Sequence, residues 1–115
     1  MAHFPHPHTS SRAPRVCFAA GESISFFLAG KQTRGLLQVA STTGGSVRLL
    51  QPLNPGTLAD VSLHTKAGTV NALVEFLQPR RQGPFVAQAF RFLAFDDDDY
   101  DRFGLALQIL RNRGW

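Results

Sequence analysis

The chain consists of short apolar runs that are separated by glycine, proline and asparagine at intervals of about ten residues. Such runs, rich in β-branched and aromatic residues and bounded by turn residues, are typical of strands in an all-β sandwich or barrel. The candidate strands are residues 24–28, 34–40, 46–50, 58–64, 69–77 and 85–95. The sequence therefore predicts a β-rich body with antiparallel strands.

Turn signals between the runs indicate how consecutive strands are joined. Gly44 and Gly45 form a pair after residue 43, which predicts a tight turn in which glycine supplies positive φ. Residues 66–68 join two strands closely, and residues 79–84 predict a longer, basic hairpin that begins and ends with proline. Several connections are therefore short, as antiparallel neighbours require.

Apolar and polar residues alternate within the runs, as a half-buried strand requires. Phe90 and Phe92 fall on the opposite face from Arg91. The chain has ten Phe against one Trp and one Tyr, and rings without a polar group suit a compact interior better than a wet binding face. We interpret the single cysteine, Cys17, as a small packing residue. In the run at residues 69–77, the residues predicted to face the core are Val70, Ala72, Val74 and Phe76.

The C-terminal segment has the pattern of one amphipathic helix. Four consecutive aspartates at residues 96–99 supply a cap and negative charge at its N-terminus, and Arg111 and Arg113 lie near its C-terminus, so both ends favour the helix dipole. Gly114 marks the end of the helix. Apolar residues at spacings of three and four predict a stripe that docks on the sheet. The stripe comprises Tyr100, Phe103, Leu107 and Leu110.

The first fourteen residues differ in composition from the rest. They are mainly His, Pro, Ser, Thr and Arg, and contain too little apolar surface to offset the entropy of ordering them. We expect a flexible N-terminal tail over residues 1–14 and one domain over residues 15–115. Because no apolar run reaches the roughly 20 residues of a membrane span and no signal-peptide pattern is present, we expect a cytoplasmic location without membrane insertion.

Residues suited to catalysis are scarce. His64 is the one histidine outside residues 1–14, and the acidic residues are concentrated at the start of the predicted helix. The sequence has no Gly-x-x-x-x-Gly-Lys phosphate loop, no Cys/His spacing typical of zinc sites and no nucleophile elbow. We therefore expect a binding module and not an enzyme, with no metal site and no cofactor.

Positive charge is concentrated in the β-rich part of the chain. Residues 1–95 hold nine Lys/Arg and three Asp/Glu, a net +6, whereas residues 96–115 hold three Arg and five Asp, a net −2. Such a surplus favours anionic partners of any kind by long-range attraction. A small β-barrel of this charge can also bind nucleic acid through stacked rings, but the phenylalanines follow core-facing alternation, which makes nucleic acid an unlikely partner.

Two motifs together predict an anion site. Arg12 and Arg15 form an arm whose guanidiniums can bind phosphate or the N7/O6 edge of guanine, and Ser41 with the following glycine turn offers hydroxyl and backbone N–H donors. The alternative interpretation is a basic tail beside an ordinary hairpin turn. The candidate site residues are Arg12, Arg15, Ser41, Gly44, Gly45 and Arg48.

Residues 38–49, with the sequence QVASTTGGSVRL, resemble the corresponding part of a PilZ domain, and the similarity extends over about residues 12–112. The loop at residues 52–57 and the strand at residues 88–92 add to the resemblance. It implies a six-stranded antiparallel β-barrel with one C-terminal helix. It also implies a bacterial signalling role, because many PilZ domains are receptors for cyclic di-GMP.

The resemblance implies which residues would contact that nucleotide. The PilZ signature is an Arg-x-x-x-Arg arm followed by Asp/Asn-x-Ser-x-x-Gly, so Ser41 and Gly44 occupy the Ser and Gly positions. Val39 stands where the signature has Asp or Asn, and Arg12 and Arg15 are separated by two residues instead of three. Two readings stay open: a cyclic di-GMP receptor with a weakened motif, or an adaptor that binds a protein of a signalling, surface-motility or polysaccharide system without nucleotide.

Overall fold

The computed structural model describes residues 2–3, 15–28 and 30–113. Over these residues the chain forms seven strands and one helix, and each of the six predicted strands is confirmed. The strands are β1 (Ala2–His3), β2 (Val16–Leu28), β3 (Lys31–Ala40), β4 (Gly44–Leu49), β5 (Leu58–Thr65), β6 (Gly68–Gln82) and β7 (Phe85–Asp96), followed by the helix α1 (Asp99–Arg113). The greater part of the predicted tail, residues 4–14, lies outside the described residues.

Six strands close into an antiparallel barrel. The sheet order is β1-β7-β4-β3-β2-β5-β6, and the barrel closes because β6 also pairs with β7. The additional strand, β1, pairs with Phe95 and Asp96 at the C-terminal end of β7. Strand β4 pairs with β7 only as far as Arg91, so the two strands do not compete for the same residues. The predicted β-rich fold with one C-terminal helix is therefore confirmed. Across the described ranges, no helix has the length and apolar character needed to cross a membrane.

The two glycines of the predicted turn have a different role from the expected one. Gly44 and Gly45 lie inside β4, and neither has a positive φ. A Cβ on Gly44 would lie 2.3 Å from the Phe90 carbonyl oxygen, and one on Gly45 would lie 2.1 Å from the Val39 carbonyl oxygen. Glycine is required here because the neighbouring strands approach the backbone of β4 closely, and the expectation of positive φ was wrong.

The predicted basic hairpin at residues 79–84 is shorter than expected. Strand β6 continues through Pro79 to Gln82, which pairs with Phe85. The turn is therefore two residues long, and Gly83 at its first position has a φ of 60°. Proline is accommodated because the β6–β7 register shifts between Phe76 and Pro79, and a bulge is one of the few places in a sheet that tolerates it.

The alternation predicted for β6 and β7 is confirmed. Val70, Ala72, Val74 and Phe76 are all buried, as are Phe90 and Phe92, whereas Arg91 is exposed. The rings form a continuous series through the barrel, with centroid distances of 5.3 Å for Phe26–Phe76 and 6.4 Å for Phe76–Phe90. Phenylalanine therefore fills the interior, as its abundance predicted. Cys17 is exposed, so its interpretation as a packing residue was wrong.

Helix α1 extends this series of rings and closes one end of the barrel. Phe103 is completely buried, and its centroid lies 5.3 Å from that of Phe92. The predicted negative charge at the helix N-terminus is confirmed, with Asp99 and Asp101 in the first turn, and the Asp98 carbonyl accepts the first helical hydrogen bond from the Arg102 N–H at 3.0 Å. Asp99 also faces the sheet, where its Oδ2 accepts the Asn71 N–H at 2.8 Å.

A buried glutamine attaches the loop between β4 and β5 to the barrel wall. Gln88 is completely buried, and its Oε1 accepts the Leu53 N–H at 2.9 Å. Its Nε2 donates to the Leu53 carbonyl at 3.1 Å and to the Leu77 carbonyl at 2.6 Å. The Leu77 carbonyl lies where the β6–β7 register shifts. One amide therefore joins the loop, β6 and β7.

Candidate ligand groove

An open groove of about 630 Å³ runs across the outer faces of β3, β4, β6 and β7. Its volume lies within the roughly 300–1,000 Å³ that is usual for ligand sites. We call it the first groove. Its lining residues are Arg15, Gln38, Val39, Gly45, Ser46, Gln78, Pro79, Arg80, Gln82, Ala87 and Ala89.

Small side chains form the floor of the first groove. Ser46 on β4 pairs with Val39 on β3 and with Ala89 on β7, so these three side chains stand in one row on the outer face. Ala87 lies two residues along β7 on the same face. Because none of these side chains is large, the barrel surface is concave at this place.

Two β-bulges place amides at the margins of the first groove. The β3–β4 register shifts between Leu37 and Val39, which leaves Gln38 as an extra residue on β3. A second shift on β6 occurs between Phe76 and Pro79, the stretch that contains Gln78. Bulges redirect side chains locally. Both amides line the groove.

The lining of the first groove is positively charged. Its two ionisable side chains are Arg15, at the start of β2, and Arg80 on β6, and no Asp or Glu is among the described residues that line it. Both arginines are exposed, so their guanidiniums are accessible to a ligand. Guanidinium forks match phosphate and the guanine N7/O6 edge, and amides bond polar base edges. The groove is therefore chemically suited to an anion that also carries polar rings.

The structure brings together only part of the predicted site. Arg15 and Gly45 line the first groove, whereas Arg12 lies outside the described residues. Gly44 is buried against the backbone of β7. Arg48 lines a separate depression of about 210 Å³, which we call the second groove. The second groove is lined by Arg34, Gly35, Leu36, Arg48, Leu49, Leu50 and Phe85.

Ser41 lies within the β3–β4 turn. It is only 4% exposed, and its N–H donates to the Gly44 carbonyl at 2.8 Å. Its Oγ accepts the Thr43 N–H at 3.3 Å and lies 3.0 Å from the Thr43 Oγ1. Such local bonds are typical of turns closed by serine. The expectation that the Ser41 hydroxyl would be an exposed donor was therefore wrong.

Sequence reasoning missed the contribution of β6 to the first groove. Gln78, Arg80 and Gln82 line it, but residues 79–84 were assigned to a hairpin loop. Arg80 pairs with Ala87 across the β6–β7 ladder, and paired residues share one face of a sheet. The Arg80 side chain therefore lies on the same face as Ala87, which belongs to the floor of the first groove. The available signal was the basic run at residues 80–81, directly after a strongly alternating strand.

Metal-binding groups are absent from the part of the chain that the structure describes: no cluster of three or more His, Cys, Asp or Glu side chains is placed to hold an ion. Among the described side chains, Arg91 forms an ion pair with Glu75, and Arg102 forms one with Asp99. Neither pair involves a residue of either groove. The acidic side chains of these pairs therefore do not neutralise the groove arginines directly.

Comparison with known proteins identifies the fold. No family model matches the sequence, and no curated protein matches it. Solved structures do match. The inhibitor of motility MotI/DgrA of Bacillus subtilis has a TM-score of 0.71 at 11% identity, over 92% of this chain and 54% of its own. The MrkH–c-di-GMP complex of K. pneumonia has a TM-score of 0.71 at 16% identity, over 90% of this chain and 53% of its own.

A third match is an isolated domain. The PilZ domain of YcgR from Escherichia coli, solved with c-di-GMP, has a TM-score of 0.59 at 13% identity, over 87% of this chain and 92% of its own. The chain thus spans about half the length of the first two proteins but nearly all of the YcgR domain. Together with the closed six-stranded barrel and its terminal helix, these matches show that the chain has a PilZ-like fold.

Proposed function

We propose that the chain is a non-catalytic, PilZ-like signalling module, with its domain over residues 15–115, and that its first groove binds cyclic di-GMP. The observation that carries the proposal is the first groove itself: about 630 Å³, two exposed arginines, three glutamines and no acidic side chain among its described lining residues. Two similar structures, MrkH and the YcgR domain, are complexes with c-di-GMP, which supports the choice of ligand.

The proposed binding mode follows from where the arginines lie. Arg15 and Arg80 contact the phosphates or the guanine edges, and Arg12 adds a second guanidinium to the arm. Gly45 and Ser46 leave space for the ligand against β4. Ser41 and Gly44 act by fixing the β3–β4 turn, and Arg48, one groove away, adds to the positive field.

Affinity is expected to be weak because of Val39. This side chain lines the first groove at the position where the PilZ signature has Asp or Asn. Valine offers neither donor nor acceptor, and each polar ligand group left without a partner costs about 1–3 kcal/mol, or roughly tenfold to a hundredfold in affinity.

Removing either groove arginine is expected to weaken binding. In isothermal titration with cyclic di-GMP, Arg15→Ala and Arg80→Ala should each raise the Kd about tenfold or more, because each removes a charge-assisted hydrogen bond of about 1.5–3 kcal/mol. Arg81→Ala is the matched control, since Arg81 is exposed, next to Arg80 and outside both grooves. Absence of heat from the folded wild-type chain at high ligand concentration would refute the proposal.

Restoring the polar side chain is expected to strengthen binding. Val39→Asn should lower the Kd for cyclic di-GMP about tenfold, because the new amide supplies the missing partner at the groove floor. Val39→Thr, of similar volume to valine but with a single short hydroxyl, is the comparison variant and should give a smaller gain. A Kd that is the same for wild type, Val39→Asn and Val39→Thr would show that residue 39 does not contact the nucleotide.

A second candidate function is that of an adaptor that binds a partner protein without nucleotide. Two observations favour it: Val39 replaces the polar signature residue, and the Ser41 hydroxyl is occupied within its own turn. Pull-down of a stoichiometric partner in the absence of nucleotide tests this alternative. Recovery of a partner only when cyclic di-GMP is added would exclude it.

A further inference from the structure

The second groove has an apolar floor that the fold leaves open to solvent. Leu50 is 76% exposed and Leu36 is 36% exposed, and the half-buried Phe85, the first residue of β7, lines the same groove. Burying apolar surface contributes roughly 25 cal/mol per Å², so an adjacent leucine pair and ring form a favourable anchor point for another apolar side chain.

Two arginines flank this floor, and no described acidic side chain forms an ion pair with either of them. Arg34 and Arg48 both line the second groove, which has no Asp or Glu among its described residues. The Arg48 guanidinium lies 5.0 Å from the centre of the Phe85 ring, a cation–π contact that holds it over the floor. The groove is therefore complementary to an acidic segment that carries an apolar side chain.

The adjoining edge of β3 is available for pairing. The β3–β4 ladder begins at Leu36, opposite Arg48, and β4 also packs closely against Gly35, so residues 31–34 of β3 pair with β2 alone among the described strands. An unpaired strand edge can accept an extended peptide, whose alternate side chains then enter neighbouring pockets. Arg34 lies on this edge and also lines the second groove, so one bound strand would reach both features.

The size of the second groove favours a polypeptide over a small molecule. At about 210 Å³ it is smaller than the roughly 300 Å³ at which small-molecule sites begin, but it can hold one large side chain. We infer that the second groove and the 31–34 edge of β3 together bind an extended acidic segment of a partner protein, with a Phe, Leu or similar side chain inserted between Arg34 and Arg48. This inference rests on the adaptor alternative of the proposed function and does not require nucleotide.

Selection from a displayed library of random peptides about nine residues long tests the inference, with the purified full chain as bait and no nucleotide present. We expect enrichment of sequences in which Asp or Glu flanks an aromatic or leucine residue. The double variant Arg34→Glu/Leu50→Asp should bind the enriched peptides about tenfold more weakly or worse in fluorescence polarisation. The control Arg81→Glu makes the same charge change on an exposed residue outside both grooves and should leave the Kd within about twofold.

In this selection, three results would overturn the inference: no enrichment with a folded bait, enriched peptides without acidic residues, or equal weakening by Arg81→Glu. A circular dichroism spectrum of the double variant that matches the wild type establishes that its weaker binding reflects the surface and not loss of the barrel. A natural partner that binds the wild type and the double variant equally would also overturn the inference, while leaving the adaptor function itself intact.

Discussion

Gln88→Leu is expected to lower the free energy of unfolding by about 3 kcal/mol or more. The substitution keeps most of the side-chain volume but removes three hydrogen bonds in a completely buried position. The half-buried Leu53 N–H and the carbonyls of Leu53 and Leu77 would lose their side-chain partner, and we expect each to cost about 1 kcal/mol, the lower end of the roughly 1–3 kcal/mol for a fully buried group. Because that amide joins the β4–β5 loop to two strands, its loss should also release the loop.

Denaturant unfolding followed by circular dichroism measures this effect. Gln51→Leu is the matched control: it makes the same chemical change at an exposed position of the same loop, and should alter stability by less than about 0.5 kcal/mol. Hydrogen exchange should additionally show faster exchange of the Leu53 amide in Gln88→Leu. Equal unfolding midpoints for the two variants would mean that the buried amide contributes no net stability.

Phe92→Ala is expected to cost about 3–5 kcal/mol, the range for a buried Phe reduced to Ala. The Phe92 ring lies 5.3 Å from Phe90, 4.5 Å from Phe95 and 5.3 Å from Phe103, measured between centroids. It therefore connects the rings of the barrel interior to the ring that helix α1 inserts. Its removal leaves a cavity under the helix, so α1 should lose helical content before the barrel unfolds.

Two comparison variants isolate the cause. Phe27→Ala removes the same ring from a residue that is 44% exposed and should cost less than about 1.5 kcal/mol. Phe92→Leu retains much of the apolar volume and should cost clearly less than Phe92→Ala. Thermal unfolding monitored at a helical and at a strand wavelength reports both elements. A Phe92→Ala variant as stable as Phe27→Ala would show that the series of rings does not hold the helix.

The strands of this fold could be predicted from sequence because alternation records which face of a strand is buried. Apolar residues occupy every second position of β6 from Val70 to Phe76, and the structure buries each of them. The continuation of β6 past Pro79 could not be predicted in the same way, because a proline within an alternating run ordinarily indicates a strand end. It depends on a bulge opposite β7, which only the pairing of two distant segments creates.

The candidate site could be predicted only in part, for a related reason. Arg15 was predicted from the arginine arm and Gly45 from the glycine turn. Each motif consists of residues that are close in sequence, and both residues line the first groove. Arg80 enters the groove through its pairing with Ala87, and Ser41 is withdrawn from it by hydrogen bonds within its own turn. The place of Arg80 is not encoded in a local pattern, since it depends on the pairing of β6 with β7, whereas the Ser41 bonds are local to its turn and compete with the motif interpretation of the same residues.

The close approach at Gly44 and Gly45 bears on how nucleotide receptors of this fold are recognised in genomes. Any side chain at these positions would collide with the backbone of a neighbouring strand, whether or not a ligand is ever bound. A glycine pair here is thus a requirement of barrel assembly, and chains that have lost nucleotide binding would still retain it. Surveys that score the glycine as evidence of a receptor would overcount receptors, and under the binding mode proposed above the residues at positions 39 and 80 are the ones to score instead.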